Sequence, residues 1–143
     1  MAQPQRFLET ADRDVAVASR RRGPAYETYR ILQFVFVIAP IIAGLDKFFH
    51  LLVNWDQYLA PVVTRVIPVA PHTFMMAVGV VEIVAGILVA VAPQVFGYIV
   101  AAWLIGIIVN LLLVPGYYDI ALRDLGLALS AFGLARLARQ FRR

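Results

Sequence analysis

This chain of 143 residues is 62% hydrophobic with a mean hydropathy of +0.78, well above the roughly 45–50% apolar content of soluble domains. Its formal charge is +4, and it contains no cysteine. The composition excludes thiolate catalysis, disulfide exchange and cysteine-ligated metals within this chain. It also predicts that lipid surrounds most of the chain, since a soluble protein of this size could not bury so much apolar surface.

Arginines are concentrated at the two ends of the chain: Arg6, Arg13, Arg20, Arg21, Arg22 and Arg30 before the first apolar stretch, and Arg136, Arg139, Arg142 and Arg143 in or after the last. The positive-inside rule then predicts that both termini are cytoplasmic, which requires an even number of spans. Anionic lipid headgroups are the simpler partner for these arginines. No aromatic-interleaved basic surface is present, so we expect no nucleic-acid binding.

Residues 1–29 form an Arg-rich segment that we expect on the cytoplasmic side. Apolar residues recur there at helical spacing, at Phe7, Leu8, Ala11, Val15 and Ala18. This spacing indicates a short amphipathic helix at the inner membrane surface. A frayed tail is the alternative interpretation.

Four apolar stretches follow, at about residues 31–53, 74–92, 95–114 and 120–138. Each approaches the roughly 20 residues that a helix needs to cross a bilayer. We therefore predict an all-α fold, a polytopic membrane protein with a bundle of four transmembrane helices over residues 30–139. Residues 140–143 form a basic tail.

The connection between the first two spans carries its own apolar pattern. Trp55, Tyr58, Leu59, Val62, Val63 and Val66 fall at i, i+3, i+4, i+7, i+8 and i+11, which predicts a short interfacial helix, bent at Pro61. Trp55, Tyr58, Tyr117 and Tyr118 are expected to form an aromatic belt at the membrane surface. The alternative is that they frame the mouth of a quinone pocket.

Polar residues interrupt the spans at Asp46, Lys47, His50, Glu82, Asn110, Arg123 and Asp124. Counting about 1.5 Å per residue, Lys47, Asn110 and Asp124 lie roughly 6–9 Å below the outer helix ends, and Glu82 roughly 12–14 Å. All four helices thus bring polar groups to one layer, which predicts an internal polar site able to bind a ligand. The competing interpretation is structural: ion pairs Lys47–Glu82 and Arg123 with Asp46 or Asp124 would fix helix register.

His50 and His72 are the only histidines. A bis-histidine haem would need both rings inside the bundle, but His72 lies in the Pro-rich connection before the second span. No Glu-x-x-His pair is present. We therefore predict neither haem nor a metal site.

Three segments resemble the DoxX-like family of small four-helix bacterial membrane proteins: residues 44–48 (GLDKF), 81–86 (VEIVAG) and 123–130 (RDLGLALS). The resemblance covers residues 30–138. It implies a bacterial inner-membrane protein linked to membrane redox systems, such as quinone-linked thiosulfate oxidation and membrane oxidoreductase assemblies. Lys47, Glu82, Arg123 and Asp124 are the residues at the family's polar positions. Because the chain has no thiol, a redox role would use a bound quinone or a partner's cofactor.

Two functions follow as expectations. The first is an auxiliary or structural subunit of a membrane redox or energy-converting complex, packed against other membrane subunits and without activity of its own. The second is a quinone-interacting subunit of a membrane oxidoreductase that uses Lys47, Glu82, Arg123 and Asp124. A small transporter fits less well, because no span is interrupted in mid-membrane by paired Gly and Pro residues.

Overall fold

The computed structural model describes residues 3–20 and 23–142, which form helices and connections with no β-strand among them. Arg21, Arg22 and Arg143, counted above among the basic residues, lie outside the described residues. The helices are α1 (Gln3–Arg20), α2 (Pro24–Phe49), α3 (Pro61–Val66), α4 (Pro71–Val91), α5 (Pro93–Leu112) and α6 (Tyr118–Phe141). The predicted all-α class is thus confirmed for this part of the chain.

Proline sets the start of four helices. Pro24, Pro61, Pro71 and Pro93 each stand in the first turn, where a missing N–H costs nothing and the fixed φ suits a helix. The apolar pattern predicted that the first span begins at about residue 31, but α2 begins earlier, at Pro24. It also ends earlier than residue 53, because His50 adopts a left-handed conformation (φ 52°) that stops the helix. At the other end of the chain, α6 continues to Phe141, into the predicted tail.

Within residues 3–20 and 23–142, three helices, α2, α4 and α5, are long and apolar enough to cross a membrane, whereas four spans were predicted. The exception is α6. Its 24 residues give ample length, but every 18-residue stretch of it contains three or more Asp or Arg residues. Length and composition therefore support a polytopic membrane protein and three of the four predicted spans.

Glycines bring the helices together in two antiparallel pairs, α2 with α4 and α5 with α6. A Cβ built at Gly44 would lie 2.5 Å from the Gly79 carbonyl oxygen, and one at Gly86 would lie 2.7 Å from the Val37 carbonyl oxygen. A Cβ at Gly97 would lie 3.0 Å from the Cβ of Ala135. These backbones touch because no side chain separates them, as is typical of helix contacts in lipid.

The solid core occupies one half of the bundle. Phe36, Val89, Val100, Ala131 and Leu134 form a buried cluster on the side where α2 begins and α6 ends, which we call the terminal end. At that end the rings of Tyr26 and Tyr29 pack against Phe141, with ring centroids 5.2 and 5.6 Å apart. The opposite end, formed by residues 50–70 and 113–117, is called the loop end.

The connection at the loop end differs from the prediction of one interfacial helix. Residues Trp55–Tyr58 form a single 3₁₀ turn, Leu59 and Ala60 are extended and buried, and α3 starts afresh at Pro61. The break occurs at Pro61 because its ring would clash with the preceding turn and it has no N–H to continue that turn.

Within the Arg-rich N-terminal segment, residues Gln3–Arg20 form the helix α1, so this stretch is helical and not a frayed tail. Phe7, Leu8 and Val15 on α1 are 74%, 62% and 69% exposed. Its apolar residues therefore do not pack against the described part of the bundle.

Candidate functional site

Asp46 holds the chain reversal that follows α2. Its carboxylate accepts hydrogen bonds from the backbone N–H groups of Leu51 (2.8 Å) and Leu52 (3.0 Å) and from Nε1 of Trp55 (2.7 Å). The side chain is only 5% exposed. A buried carboxylate is tolerated when donors surround it in this way. The role of Asp46 is thus to fix the connection in place, and it does not line the cavity described below.

Lys47 and Glu82 form a buried ion pair. Nζ of Lys47 lies 2.6 Å from Oε2 of Glu82, and the two side chains are 3% and 13% exposed. The meeting follows from antiparallel packing, because side chains lean toward the N-terminus of their own helix. Lys47 therefore leans from the loop end toward the bundle centre, and Glu82 leans the opposite way. The ion pair expected on the structural interpretation is present.

The Lys47 ammonium has hydrogen-bonding capacity left over. An ammonium offers three donors, and among the described residues Glu82 is its only hydrogen-bond partner. Its remaining neighbour of note is the Trp55 ring, whose centroid lies 3.8 Å from Nζ, a cation–π distance. The ammonium can therefore donate to a further acceptor without giving up Glu82.

Asn110 fastens the connection to α5. Its Oδ1 accepts a hydrogen bond from the Ala60 N–H (2.9 Å), and its Nδ2 donates to the Tyr58 carbonyl oxygen (2.6 Å). Both ends of the amide are thus satisfied by backbone groups of one segment. Asn110 therefore holds the segment from Tyr58 to Ala60 against α5.

Arg123 and Asp124 lie on α6 beside the same space. Arg123 is exposed and Asp124 half-buried. The expected ion pair between Arg123 and Asp46 or Asp124 does not occur in the described part of the chain. Donors from the connection already occupy Asp46. Consecutive helix residues such as Arg123 and Asp124 do not face each other.

An apolar cavity of about 880 Å³ lies at the loop end, within the size range of small-molecule sites. Its walls come from the connection and from α4, α5 and α6: Val53, Trp55, Tyr58, Leu59, Val63, Phe74, Met75, Val78, Trp103, Gly106, Ile107, Leu111, Ile120 and Leu127. Five of the seven predicted polar residues line it as well, namely Lys47, Glu82, Asn110, Arg123 and Asp124. Of these five, Lys47 is buried, Glu82, Asn110 and Asp124 are partly buried, and Arg123 is exposed.

Several residues of this cavity were missed or assigned differently from the sequence. Of the four aromatic residues expected in a belt, Trp55 and Tyr58 line the cavity, whereas Tyr117 and Tyr118 do not. Trp103 and Gly106 carried no signal, because an aromatic residue and a glycine are ordinary within an apolar span. Both tryptophans of the chain border the same space.

His50 lies outside the cavity, next to the second histidine. The rings of His50 and His72 stack with centroids 5.1 Å apart and planes 28° apart. Nδ1 of His72 lies 3.4 Å from Oδ2 of Asp56. The sequence did not link these residues because they come from three separate segments.

Comparison of the chain with protein-family models, with curated proteins and with solved structures finds no match.

Proposed function

We propose that this chain is an integral membrane protein that binds a quinone-class ligand in the loop-end cavity. The observation that carries the proposal is a buried ammonium with unused donors at the polar end of an apolar cavity. Ligand sites combine apolar walls with a few placed polar groups in this way. A quinone has the matching chemistry, because it joins a flat ring with carbonyl acceptors to an apolar tail.

Different side chains of the cavity would bind the head group and the tail of the quinone. Lys47 donates to a quinone carbonyl, and the Trp55 and Tyr58 rings offer flat surfaces for the head group. The apolar residues of α4 and α5 accept the tail. Glu82, paired with Lys47, is the nearest carboxylate able to exchange a proton with the bound ring. On this proposal the electrons come to the quinone from a partner's cofactor, because the chain has no thiol of its own.

The proposal includes a location in the bacterial inner membrane with α6 as the fourth span. The positions of the charged residues on α6 are compatible with a span, because these residues need not face lipid. Arg123 and Asp124 line the cavity, and Arg136 and Arg139 stand near the terminal end. With four spans both Arg-rich ends lie on one side, which the positive-inside rule makes cytoplasmic. The cavity then opens in the periplasmic half.

Tryptophan fluorescence tests the ligand directly, because Trp55 and Trp103 are the only tryptophans and both line the cavity. The full chain in lipid nanodiscs is titrated with a short-tailed benzoquinone. We expect saturable quenching. Gly106→Phe fills the cavity and should weaken binding by at least about 10-fold, roughly 1.4 kcal/mol.

The matched control is Gly133→Phe on α6. A Cβ at either Gly106 or Gly133 meets no atom within 4 Å, so a side chain has room to leave the helix backbone at both positions. Gly133 does not line the cavity, and its variant should bind as the wild type does. Equal quenching of all three proteins would show that the quinone dissolves in lipid and only collides with the indoles.

An auxiliary-subunit function is the second candidate, favoured by one face of α6. Gly126, Ser130 and Gly133 recur at i, i+4 and i+7, and a Cβ at either glycine would meet open space. Small residues at this spacing allow another membrane helix to approach closely. If a partner subunit packs there, Gly126→Phe and Gly133→Phe should abolish co-purification of the complex from membranes, and Gly106→Phe should not. Retention of the partner by all three variants would exclude this face.

A further inference from the structure

We propose that His50, Asp56 and His72 form a binding site for a divalent transition-metal ion of the Zn²⁺ class at the loop end. One donor atom from each side chain lies within 4.8 Å of the other two. The contact between Nδ1 of His72 and Oδ2 of Asp56, at 3.4 Å, already has the separation of two ligands on one tetrahedral ion, roughly 3.3–3.4 Å for bonds of about 2.0–2.1 Å.

An unpartnered oxygen in this cluster points to the same conclusion. Oδ1 of Asp56 is buried and has no hydrogen-bond partner in the described part of the chain. A carboxylate oxygen removed from water without a donor is unfavourable. A cation held by Asp56 and the two imidazoles would neutralise the charge of this carboxylate.

Each of the three residues stands at a defined turn or helix end. Asn54 accepts a hydrogen bond from the Asp56 N–H through its Oδ1 (3.2 Å), which fixes the turn that carries Asp56. His72 is the second residue of α4. His50 ends α2 in the left-handed conformation, which glycine or asparagine usually adopts. Strained backbone of this kind is often found at functional positions, and here it turns the His50 ring onto His72.

The donor set selects the class of ion. Two imidazole nitrogens and one carboxylate oxygen suit Zn²⁺ and its neighbours among the transition metals, whereas Ca²⁺ and Mg²⁺ prefer oxygen ligands throughout. Three protein ligands leave coordination positions for water or a further group. The ion would tie the end of α2 to the start of α4 through Asp56, and so fix Trp55, the neighbouring residue in the cavity wall.

The experiment uses the full chain in detergent with a tag that contains no histidine, after treatment with a chelator. Zn²⁺ binding is measured by calorimetry and Co²⁺ binding by visible absorption. We expect one ion per chain, a Co²⁺ spectrum with nitrogen ligation, and a higher Tm with Zn²⁺. Loss of a supporting contact alone typically weakens a metal site about 10–100-fold. Each of His50→Asn, Asp56→Asn and His72→Gln should therefore weaken binding by at least about 100-fold.

Asn at position 50 is chosen because it tolerates the left-handed conformation. Asp119→Asn is the matched control, since Asp119 is an exposed carboxylate at the same end of the bundle and outside the cluster. It should bind Zn²⁺ as the wild type does. The proposal fails if the wild type binds no Zn²⁺, or if the three cluster variants keep wild-type affinity. Weaker binding counts as support only in variants whose metal-free Tm stays at the wild-type value, since an unfolded variant would also lose the ion. Quinone binding is not needed for any of these readouts, so this test is independent of the proposed function.

Discussion

Gly44 and Gly79 place the backbones of α2 and α4 in direct contact: a Cβ at Gly44 would lie 2.5 Å from the Gly79 carbonyl oxygen, and a Cβ at Gly79 2.7 Å from that of Gly44. This crossing fixes the register of the two helices. Lys47 follows Gly44 by three residues, and Glu82 follows Gly79 by three. The glycine contact therefore sets the relative positions of the two members of the buried ion pair.

We expect Gly44→Ala to destabilise the bundle by about 1–3 kcal/mol, because the new methyl group would overlap backbone rather than a movable side chain. The free energy of unfolding in mixed detergent micelles measures the loss. Gly126→Ala is the control, since a Cβ there meets open space. Equal stability of the two variants would contradict the close approach of α2 and α4.

Lys47→Met should be strongly destabilising, by about 3–5 kcal/mol, because it leaves Glu82 as a buried charge without its partner. The double substitution Lys47→Met with Glu82→Leu removes both charges and should recover most of that loss. Unfolding in the same micelles gives the coupling between the two positions. A double variant no more stable than the single one would mean that the ion pair is not what Lys47 contributes. The exposed Arg65→Met serves as a charge-matched control.

Asn110→Leu should release the loop that closes the cavity. It removes the acceptor of the Ala60 N–H and the donor to the Tyr58 carbonyl oxygen, each worth about 0.5–1.5 kcal/mol net. Hydrogen exchange should accelerate in residues 55–66 and stay slow in the centre of α5. Gln57→Leu, a similar change at an exposed position of the same loop, should leave the exchange unaltered. Uniform acceleration along the chain would indicate global destabilisation instead.

The absence of cysteine makes the topology testable with single introduced thiols. On the proposed four-span topology, Gln57→Cys and Asp119→Cys should react with a membrane-impermeant maleimide added from the side opposite the two termini, and Gln140→Cys only after the membrane is opened. All three positions are exposed. Labelling of positions 119 and 140 from the same side would show that α6 does not cross the membrane.

The apolar pattern predicted the long helices well and their ends poorly. Hydropathy identified residues 31–53 as apolar, but the end of α2 depends on the left-handed conformation of His50, which hydropathy does not report. In α6, Arg123 and Asp124 indicated a possible site, but the same two charges make this helix less apolar than α2, α4 and α5. Pro61 was recognised as a bend, yet it separates the connection into a 3₁₀ turn and a new helix.

The hydrogen-bond partners of the polar residues were predictable only where two helices face each other. The Lys47–Glu82 pair follows from opposite charges on antiparallel spans, and the structure has it. Asp46 and Asn110 bond mostly to backbone groups of the connection. Because nearly every residue has such groups, the sequence does not indicate which of them a polar side chain will bind. The proximity of His50 to His72 depends on how the intervening 21 residues fold back, and no spacing rule covers a chain reversal of that length.

The indole of Trp55 touches two consecutive residues of α2 at once: its Nε1 donates to Asp46, and its ring lies beneath the Lys47 ammonium. A molecule that draws the ammonium away from the ring would alter one face of the indole while the other edge stays anchored. Trp55 also lines the cavity, so one side chain joins the cavity wall to the carboxylate that fixes the chain reversal after α2. We expect a ligand that displaces the Lys47 ammonium to change the environment of this indole while its hydrogen bond to Asp46 persists.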